Sequence, residues 1–253
     1  MNVTYAISLW NFSHYAGPGD LEGELAAVRA QGYGIELWPH WPGEPDLYSP
    51  AMRDRLVSAL AGMPVSLHSA LVRGFAAQAA QVDAAAELGA NVLVTHSDEF
   101  FQEGTRRLDA PLCRDVVAYA AERGVRVALE NGQLPFLAAA IGAVEGLHVC
   151  LDVGHVYLTD ALLCDFLDAL GPRIIHLHLQ DMGLPGEAEM PHALRDHYTP
   201  GTGSIPAGDW HLLARTLRAL DFRGMAVFEV RPRNPYHTAR LGRQFFQEVL
   251  ASA

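Results

Sequence analysis

Seven apolar runs in this 253-residue sequence carry an ionisable residue at or next to their carboxyl end. The runs are GIEL with Glu36, VSLH with His68, NVLVTH with His96, RVALE with Glu130, VCLD with Asp152, IIHLHL with His178 and MAVFE with Glu229. A buried strand has no structural need for such a residue, whereas a barrel of parallel strands collects all its carboxyl ends at one mouth. The pattern therefore predicts a metal-centred active site built from strand ends.

Short β-branched runs alternate with Ala- and Leu-rich stretches of helical periodicity, which is the pattern of repeated βα units. We predict strands at residues 3–10, 34–38, 65–68, 91–96, 126–131, 147–153, 174–181 and 224–230. We predict helices at residues 21–31, 51–61, 76–88, 111–123, 135–144, 161–170, 209–220 and 239–250. Eight such units match one closed (β/α)8 TIM barrel over residues 1–253, and a doubly wound parallel sheet is the alternative.

Composition limits which binding partners and which cellular compartment we expect for this protein. The formal net charge of −11 disfavours binding to nucleic acid, because the overall field repels polyanions. The three cysteines (Cys113, Cys150 and Cys164) show no CxxC spacing, as expected of free thiols in a reducing compartment. No run approaches the roughly 20 apolar residues that span a bilayer. We expect a cytoplasmic protein that acts on a small molecule without a membrane, and its barrel faces are compatible with a homodimer.

Six of the strand-end residues belong to the types that bind metals: His68, His96, Glu130, Asp152, His178 and Glu229. Without a cation, three carboxylates at one mouth would repel one another and raise one another's pKa, whereas a divalent ion lets them stay ionised. Mixed imidazole and carboxylate ligands favour zinc or manganese, with iron or cobalt next, over calcium or magnesium. We therefore expect a divalent metal centre.

The stretch Met182–Pro206, between the seventh strand and its helix, is long for a βα loop. It contains His192, Arg195, Asp196, His197 and Tyr198. These residues predict an active-site loop or lid, and a merely solvated loop is the alternative. Within the same stretch, Gly201–Thr202–Gly203 either offers backbone N–H groups to a phosphate or forms a tight turn before the next helix.

The motifs together resemble the xylose-isomerase-like barrel superfamily, which includes endonuclease IV (AP endonuclease family 2) and the sugar epimerases related to tagatose epimerase. The resemblance covers nearly the whole chain and rests on SLHSA, VTHSD, ALENG, LDVGH, HLHLQD, PGTGSI and FEVRP. In the epimerase branch it implies one ion held by Glu130, Asp152, His178 and Glu229. In the endonuclease branch it implies a second ion on His68, His96 and Glu130, and a third on His155, His197 and an aspartate.

The sequence departs from the family pattern at that third ion. Counted back from Gly201 and Gly203, Arg195 stands where the aspartate is expected. The neighbouring Asp196 would point elsewhere if the segment is extended, because side chains alternate along an extended chain. The resemblance therefore supports one or two ions better than three.

For the epimerase branch, the resemblance implies an isomerase or epimerase of a small sugar, sugar phosphate or related polyol ketone. Glu130 and Glu229 would carry the proton, because they are placed to act on two sides of a bound sugar. We expect His155, His197 and Arg231 to contact substrate, and Glu36 either to do so or to support a ligand from behind. Two alternatives stay open, a two-metal phosphoesterase like endonuclease IV and a catalytically silent barrel that binds a metabolite.

Overall fold

Eight parallel strands close on themselves into a barrel in the computed structural model, which describes all residues except Ala16, Pro18, residues 184–194, Pro232 and Arg233. The strands are β1 (Thr4–Ser8), β2 (Gly34–Leu37), β3 (Val65–His68), β4 (Val92–Thr95), β5 (Arg126–Glu130), β6 (His148–Asp152), β7 (Ile174–Leu179) and β8 (Met225–Phe228). Each strand pairs with its neighbours in sequence, and β8 closes the barrel on β1. The predicted (β/α)8 barrel is confirmed.

Helices connect the strands around the outside of the barrel. Those in the described residues are α1 (Leu21–Ala30), α2 (Pro50–Leu60), α3 (Phe75–Glu87), α4 (Ala110–Glu122), α5 (Leu134–Ala143), α6 (Val153–Val156), α7 (Leu163–Leu170), α8 (Ala207–Ala219) and α9 (Pro235–Ser252). All except α6 match the predicted helices to within a few residues. Within the described part of the chain, no helix combines the length and apolar character that crossing a membrane would need.

Four short helical elements were not predicted, because too few residues are involved to give a periodic pattern. They are α6 and the 3-10 helices Leu9–His14, Ser97–Phe100 and Gly171–Arg173. Three of them follow β1, β4 and β6 directly, where they turn the chain at the mouth. In α6 the Asp152 side chain accepts a hydrogen bond from the backbone N–H of His155 at 2.8 Å. This cap fixes the spacing between two predicted site residues.

Alternation along the strands decides which side chains reach the barrel interior. Val94, Ala128 and Cys150 belong to a small apolar cluster separate from the main core between strands and helices. His96, Glu130 and Asp152 come two residues after these three in the sequence, and they therefore share the interior face at the mouth. The sequence thus directs apolar groups to the barrel centre and ionisable groups to one end.

The Asp181 carboxylate, just after β7, organises the glycine-rich turn. It accepts hydrogen bonds from the backbone N–H groups of Met182 at 2.8 Å, Gly201 at 2.9 Å, Gly203 at 3.1 Å and Ile205 at 3.0 Å. A Cβ at Gly203 would lie 2.1 Å from the Met182 carbonyl oxygen, so only glycine fits there. These N–H groups are directed at the protein, which supports the tight-turn alternative over phosphate binding.

Backbone hydrogen bonds also join the two ends of the long loop. Asp181 and Tyr198 exchange backbone hydrogen bonds at 2.8 and 3.0 Å, and the Gly183 N–H donates to the Arg195 carbonyl at 2.5 Å. The inner part of the predicted lid, including His192, lies outside the described residues. The described ends of the loop are therefore held next to β7.

We predict that Asp181→Ala lowers the free energy of unfolding by about 2–4 kcal/mol, because buried N–H donors lose their charged acceptor. Denaturant unfolding followed by circular dichroism measures the change. Asp160→Ala, at an exposed aspartate, is the matched control and should alter stability by less than roughly 0.5 kcal/mol. Equal stabilities of the two variants would show that the turn does not depend on Asp181.

Candidate metal centre

Four side chains from the carboxyl ends of consecutive strands meet at the mouth of the barrel. They are Glu130, Asp152, His178 and Glu229, and one ligand atom from each lies within 4.8 Å of the others. All four are buried. His178 Nδ1 lies 3.1 Å from Glu229 Oε2 and 3.7 Å from both Glu130 Oε1 and Asp152 Oδ2. We call this group the four-residue site.

A second group adjoins it and shares Glu130. His68, His96 and Glu130 also bring ligand atoms within 4.8 Å of one another, and we call them the three-residue site. Glu130 Oε2 lies 3.3 Å from His68 Nε2 and 3.0 Å from His96 Nε2. The other carboxylate oxygen faces His178, so Glu130 stands between the two sites. The Trp38 ring stacks on His68 with 4.0 Å between centroids and limits its rotation.

A third group corrects one expectation from the sequence. His155, Asp196 and His197 place ligand atoms within 4.8 Å of one another, so the expectation that Asp196 points elsewhere is wrong. The segment is not extended, because His197 has a φ of +63°. The Arg231 guanidinium lies 2.9 Å from Asp196 Oδ1 and shares its charge. Arg231, which we expected to contact substrate, is therefore engaged with this aspartate.

The donor set fits a divalent cation. Burial by itself raises the pKa of Glu130, but the imidazoles of His96, His155 and His178 outweigh it and hold that pKa well below its usual range. Glu130 Oε1 and His178 Nδ1 are buried and lie 3.7 Å apart, and Glu130 Oε1 also lies 2.8 Å from His155 Nδ1. Ionised oxygens and a ring nitrogen directed at one point are the ligands that zinc and manganese accept.

Two histidines carry raised pKa values because of these carboxylates. Burial lowers the pKa of His96, but Glu130 outweighs this and raises it to about 9. Burial likewise opposes the charge on His155, whereas Asp152 and Glu130 raise its pKa to about 10. At neutral pH both rings are therefore protonated when no metal is bound.

Glu36 does not reach the mouth. Its side chain is completely buried, with Oε1 3.0 Å from His178 Nε2 and Oε2 2.9 Å from His176 Nε2. Burial raises its pKa, but His178 and His176 outweigh that effect, so the carboxylate stays ionised. Substrate contact is thus excluded by position, and the alternative of support from behind a ligand agrees with the geometry.

Two amides that the sequence reasoning did not single out hold Asp152 in place. Asn131 exchanges hydrogen bonds with the Asp152 backbone at 2.5 and 3.0 Å. Gln180 donates to Asp152 Oδ2 at 2.7 Å and accepts from the His197 backbone N–H at 2.5 Å. The signal was present in the sequence, because each amide follows a predicted ligand by one or two positions.

A cavity of about 450 Å³ opens beside the two sites. Its wall includes His96, Glu130 and His155, and the facing side contains Phe101 and Phe136. The two phenylalanine rings meet edge to face with 5.1 Å between centroids. His155, one of the expected substrate contacts, therefore borders a space of the size that small-molecule sites occupy.

A closed barrel with imidazoles and carboxylates gathered at its carboxyl-end mouth defines a TIM-barrel protein with a candidate metal site. The sequence profile of the xylose isomerase-like TIM barrel family matches residues 25–249, and the chain belongs to that family. The resemblance inferred from the motifs is confirmed.

Solved structures share the fold at low sequence identity. The 3-keto-D-glucoside 4-epimerase of E. coli is 17% identical, with a TM-score of 0.71 over 98% of this chain and 100% of that one. The IOLI protein with a bound zinc atom is 13% identical, with a TM-score of 0.73 over 98% of both chains. The TTHB071 protein of Thermus thermophilus, soaked with zinc chloride, is 24% identical, with a TM-score of 0.65 over 100% of this chain and 99% of that one.

Curated relatives match over part of their length. An uncharacterized protein of Sinorhizobium fredii is 29% identical over an alignment of 167 residues, and the match covers 59% of this chain and 50% of the relative. An uncharacterized protein of Mycobacterium tuberculosis is 27% identical over an alignment of 179 residues, and the match covers 59% of each protein. The matched region thus spans about half to three fifths of these relatives.

We predict that zinc binding at pH 7 releases protons, because a cation beside Glu130 replaces the imidazolium charges of His96 and His155. Because the pKa values of His96 and His155 are raised to about 9 and 10, protons compete with zinc at any pH below those values. The apparent zinc affinity therefore rises as the pH increases towards 9–10, about tenfold per pH unit for each proton displaced. Calorimetry in buffers of different ionisation enthalpy counts the protons. His96→Ala should release fewer, and equal heats in all buffers would contradict the prediction.

Proposed function

We propose that this protein is a divalent-metal-dependent isomerase or epimerase of a small sugar, sugar phosphate or related polyol ketone. The observation that carries the proposal is that two glutamates, Glu130 and Glu229, both face His178 Nδ1 in one buried site, at 3.7 and 3.1 Å. Zinc or manganese would be held by Glu130, Asp152, His178 and Glu229. The similarity to an E. coli sugar epimerase and to a zinc-bound IOLI structure supports the same assignment.

Two buried carboxylates at one centre suit proton transfer. A divalent ion bound there would polarise a substrate carbonyl and acidify the neighbouring C–H bond. Glu130 and Glu229 both have pKa values below the usual range, because nearby imidazoles outweigh the effect of burial. One carboxylate accepts the carbon-bound proton, and the other returns a proton to the opposite face or to the next carbon. The first outcome is epimerisation and the second is isomerisation.

The cavity supports a small polyhydroxylated substrate. His155 borders it with its side chain 22% exposed, so the ring can contact a substrate oxygen. Phe101 and Phe136 present ring surface to the apolar C–H face of a sugar. His197, which we also expected to contact substrate, lies with its ring 4.6 Å from that of Trp10 and stays a candidate for this role.

A second candidate function is favoured by the three-residue site. His68 and His96 share Glu130 with the four-residue site, which is the arrangement that holds two ions around a bridging hydroxide in phosphoesterases. The net charge of −11 disfavours a nucleic-acid substrate for such a centre. A silent metabolite-binding barrel uses the same mouth without turnover.

We predict that Glu130→Gln and Glu229→Gln each lower the rate of C–H exchange by about 10²–10⁴-fold, because each removes a proton carrier. Deuterium incorporation from D2O into a panel of ketoses and aldoses, followed by NMR, measures the rate. Glu103→Gln makes the same chemical change at an exposed position and should leave exchange unchanged. Wild-type rates in both site variants would show that neither glutamate carries the proton, and a wild-type protein without exchange above background would favour the silent barrel.

His68→Ala and His96→Ala separate the two enzyme classes. If one ion in the four-residue site performs the chemistry, each variant retains that ion and loses no more than about tenfold in exchange rate, the low end for residues that support a ligand. Elemental analysis counts the ions per chain, and phosphate release from p-nitrophenyl phosphate tests the hydrolase. If the wild type holds two ions and releases phosphate, and the variants lose both one ion and the phosphate release, the assignment would move to a phosphoesterase.

A further inference from the structure

An ionised carboxylate lies on the barrel axis beneath the metal-ligand residues. Glu36 on β2 pairs in register with Ser66 on β3, one interior position before His68. Its contacts are two imidazoles and a hydroxyl: His178 Nε2 at 3.0 Å, His176 Nε2 at 2.9 Å and Ser66 Oγ at 3.1 Å. Burying a charge is unfavourable unless it is well paired, and other strands place Val94, Ala128 or Val227 in the interior instead. A charge here therefore needs an explanation.

The contact with His178 determines where that ring carries its hydrogen. Both ring nitrogens face carboxylates, Nε2 that of Glu36 at 3.0 Å and Nδ1 that of Glu229 at 3.1 Å. Only Nδ1 also lies near Glu130 and Asp152, so it is the nitrogen that belongs to the four-residue site. A neutral ring that offers the Nδ1 lone pair to a cation carries its hydrogen on Nε2, facing Glu36. The free lone pair therefore points into the four-residue site.

We propose that Glu36 is a positioning residue that fixes His178 in its Nε2–H form and directs Nδ1 at the metal. The inference rests on the metal centre of the proposed function and names a residue on which that centre depends. Metal-bound histidines commonly donate their second N–H to a carboxylate, which orients the ring and strengthens it as a ligand. Here the carboxylate comes from β2 and its histidine from β7, on a distant part of the barrel.

The second oxygen of Glu36 keeps the first one in place. His176 and Ser66 both contact Oε2, so the carboxylate cannot rotate away from His178 without losing two hydrogen bonds. These contacts are made on β7 and β3, on either side of the barrel interior. The position of Glu36 is thus set by strand pairing and not by a flexible loop.

Glu36→Gln tests the proposal, because the amide keeps the shape and removes the charge. We expect its zinc dissociation constant, measured by competition with a chromophoric chelator, to rise about 10–100-fold. Glu103→Gln makes the same chemical change at an exposed position and should leave the dissociation constant unchanged. Circular dichroism of the metal-free proteins confirms that both are folded. Equal affinities of Glu36→Gln and wild type would overturn the proposal.

A second measurement needs no substitution. Long-range proton–nitrogen NMR of zinc-loaded wild-type protein labelled with 15N-histidine reports the tautomer of His178 directly. We expect the hydrogen on Nε2, and a hydrogen on Nδ1 would overturn the proposal even where Glu36→Gln fails to fold.

Neither readout uses turnover, so the two hypotheses fail separately. Weakened zinc binding in Glu36→Gln without turnover of any sugar by the wild type would support positioning and reject the isomerase. Isomerase activity of the wild type, with unchanged zinc affinity in Glu36→Gln, would support the isomerase and reject the positioning role. A wild-type protein that binds no zinc would reject both.

Discussion

The arrangement at the barrel mouth depends on the shared carboxylate of Glu130. Oε2 faces His68 and His96, and Oε1 lies 2.8 Å from His155 Nδ1 and 3.7 Å from His178 Nδ1. Three buried carboxylates in one place would oppose folding if no positive charge accompanied them. The imidazoles of His96 and His155, whose pKa values these carboxylates raise, supply positive charge beside them. A cation bound at the same place would compete with those protons.

The sequence was sufficient to predict the eight strands, the closed barrel and the six ligand-type residues. This was possible because the side-chain period of a strand is two and parallel strands place their carboxyl ends together. Ala128 and Glu130 illustrate the rule, since a residue two positions beyond an interior apolar one must also face inward. The ligand roles of these residues stay predictions.

Other features depended on information that no local pattern contains. Glu36 lies next to the end of β2, but the stagger between β2 and β3 places it one interior position lower than His68, where it meets His178. Asp196 joins His155 and His197 because of one positive φ angle, which the residue type of His197 does not predict. The contacts of Asp181 with a turn some twenty residues later are equally invisible before the chain is folded.

The paired backbone hydrogen bonds after β7 have an evolutionary consequence. Because Gly183 meets Arg195, and Asp181 meets Tyr198, the chain leaves the barrel and returns to it at one place. The cost of closing a loop grows only slowly with its length, so the sequence between those two points can lengthen, shorten or be exchanged while His197 keeps its position. Insertions and exchanges at this junction can thus accumulate without moving the residues at the barrel mouth, and the same junction is a natural splice point for grafting a foreign loop.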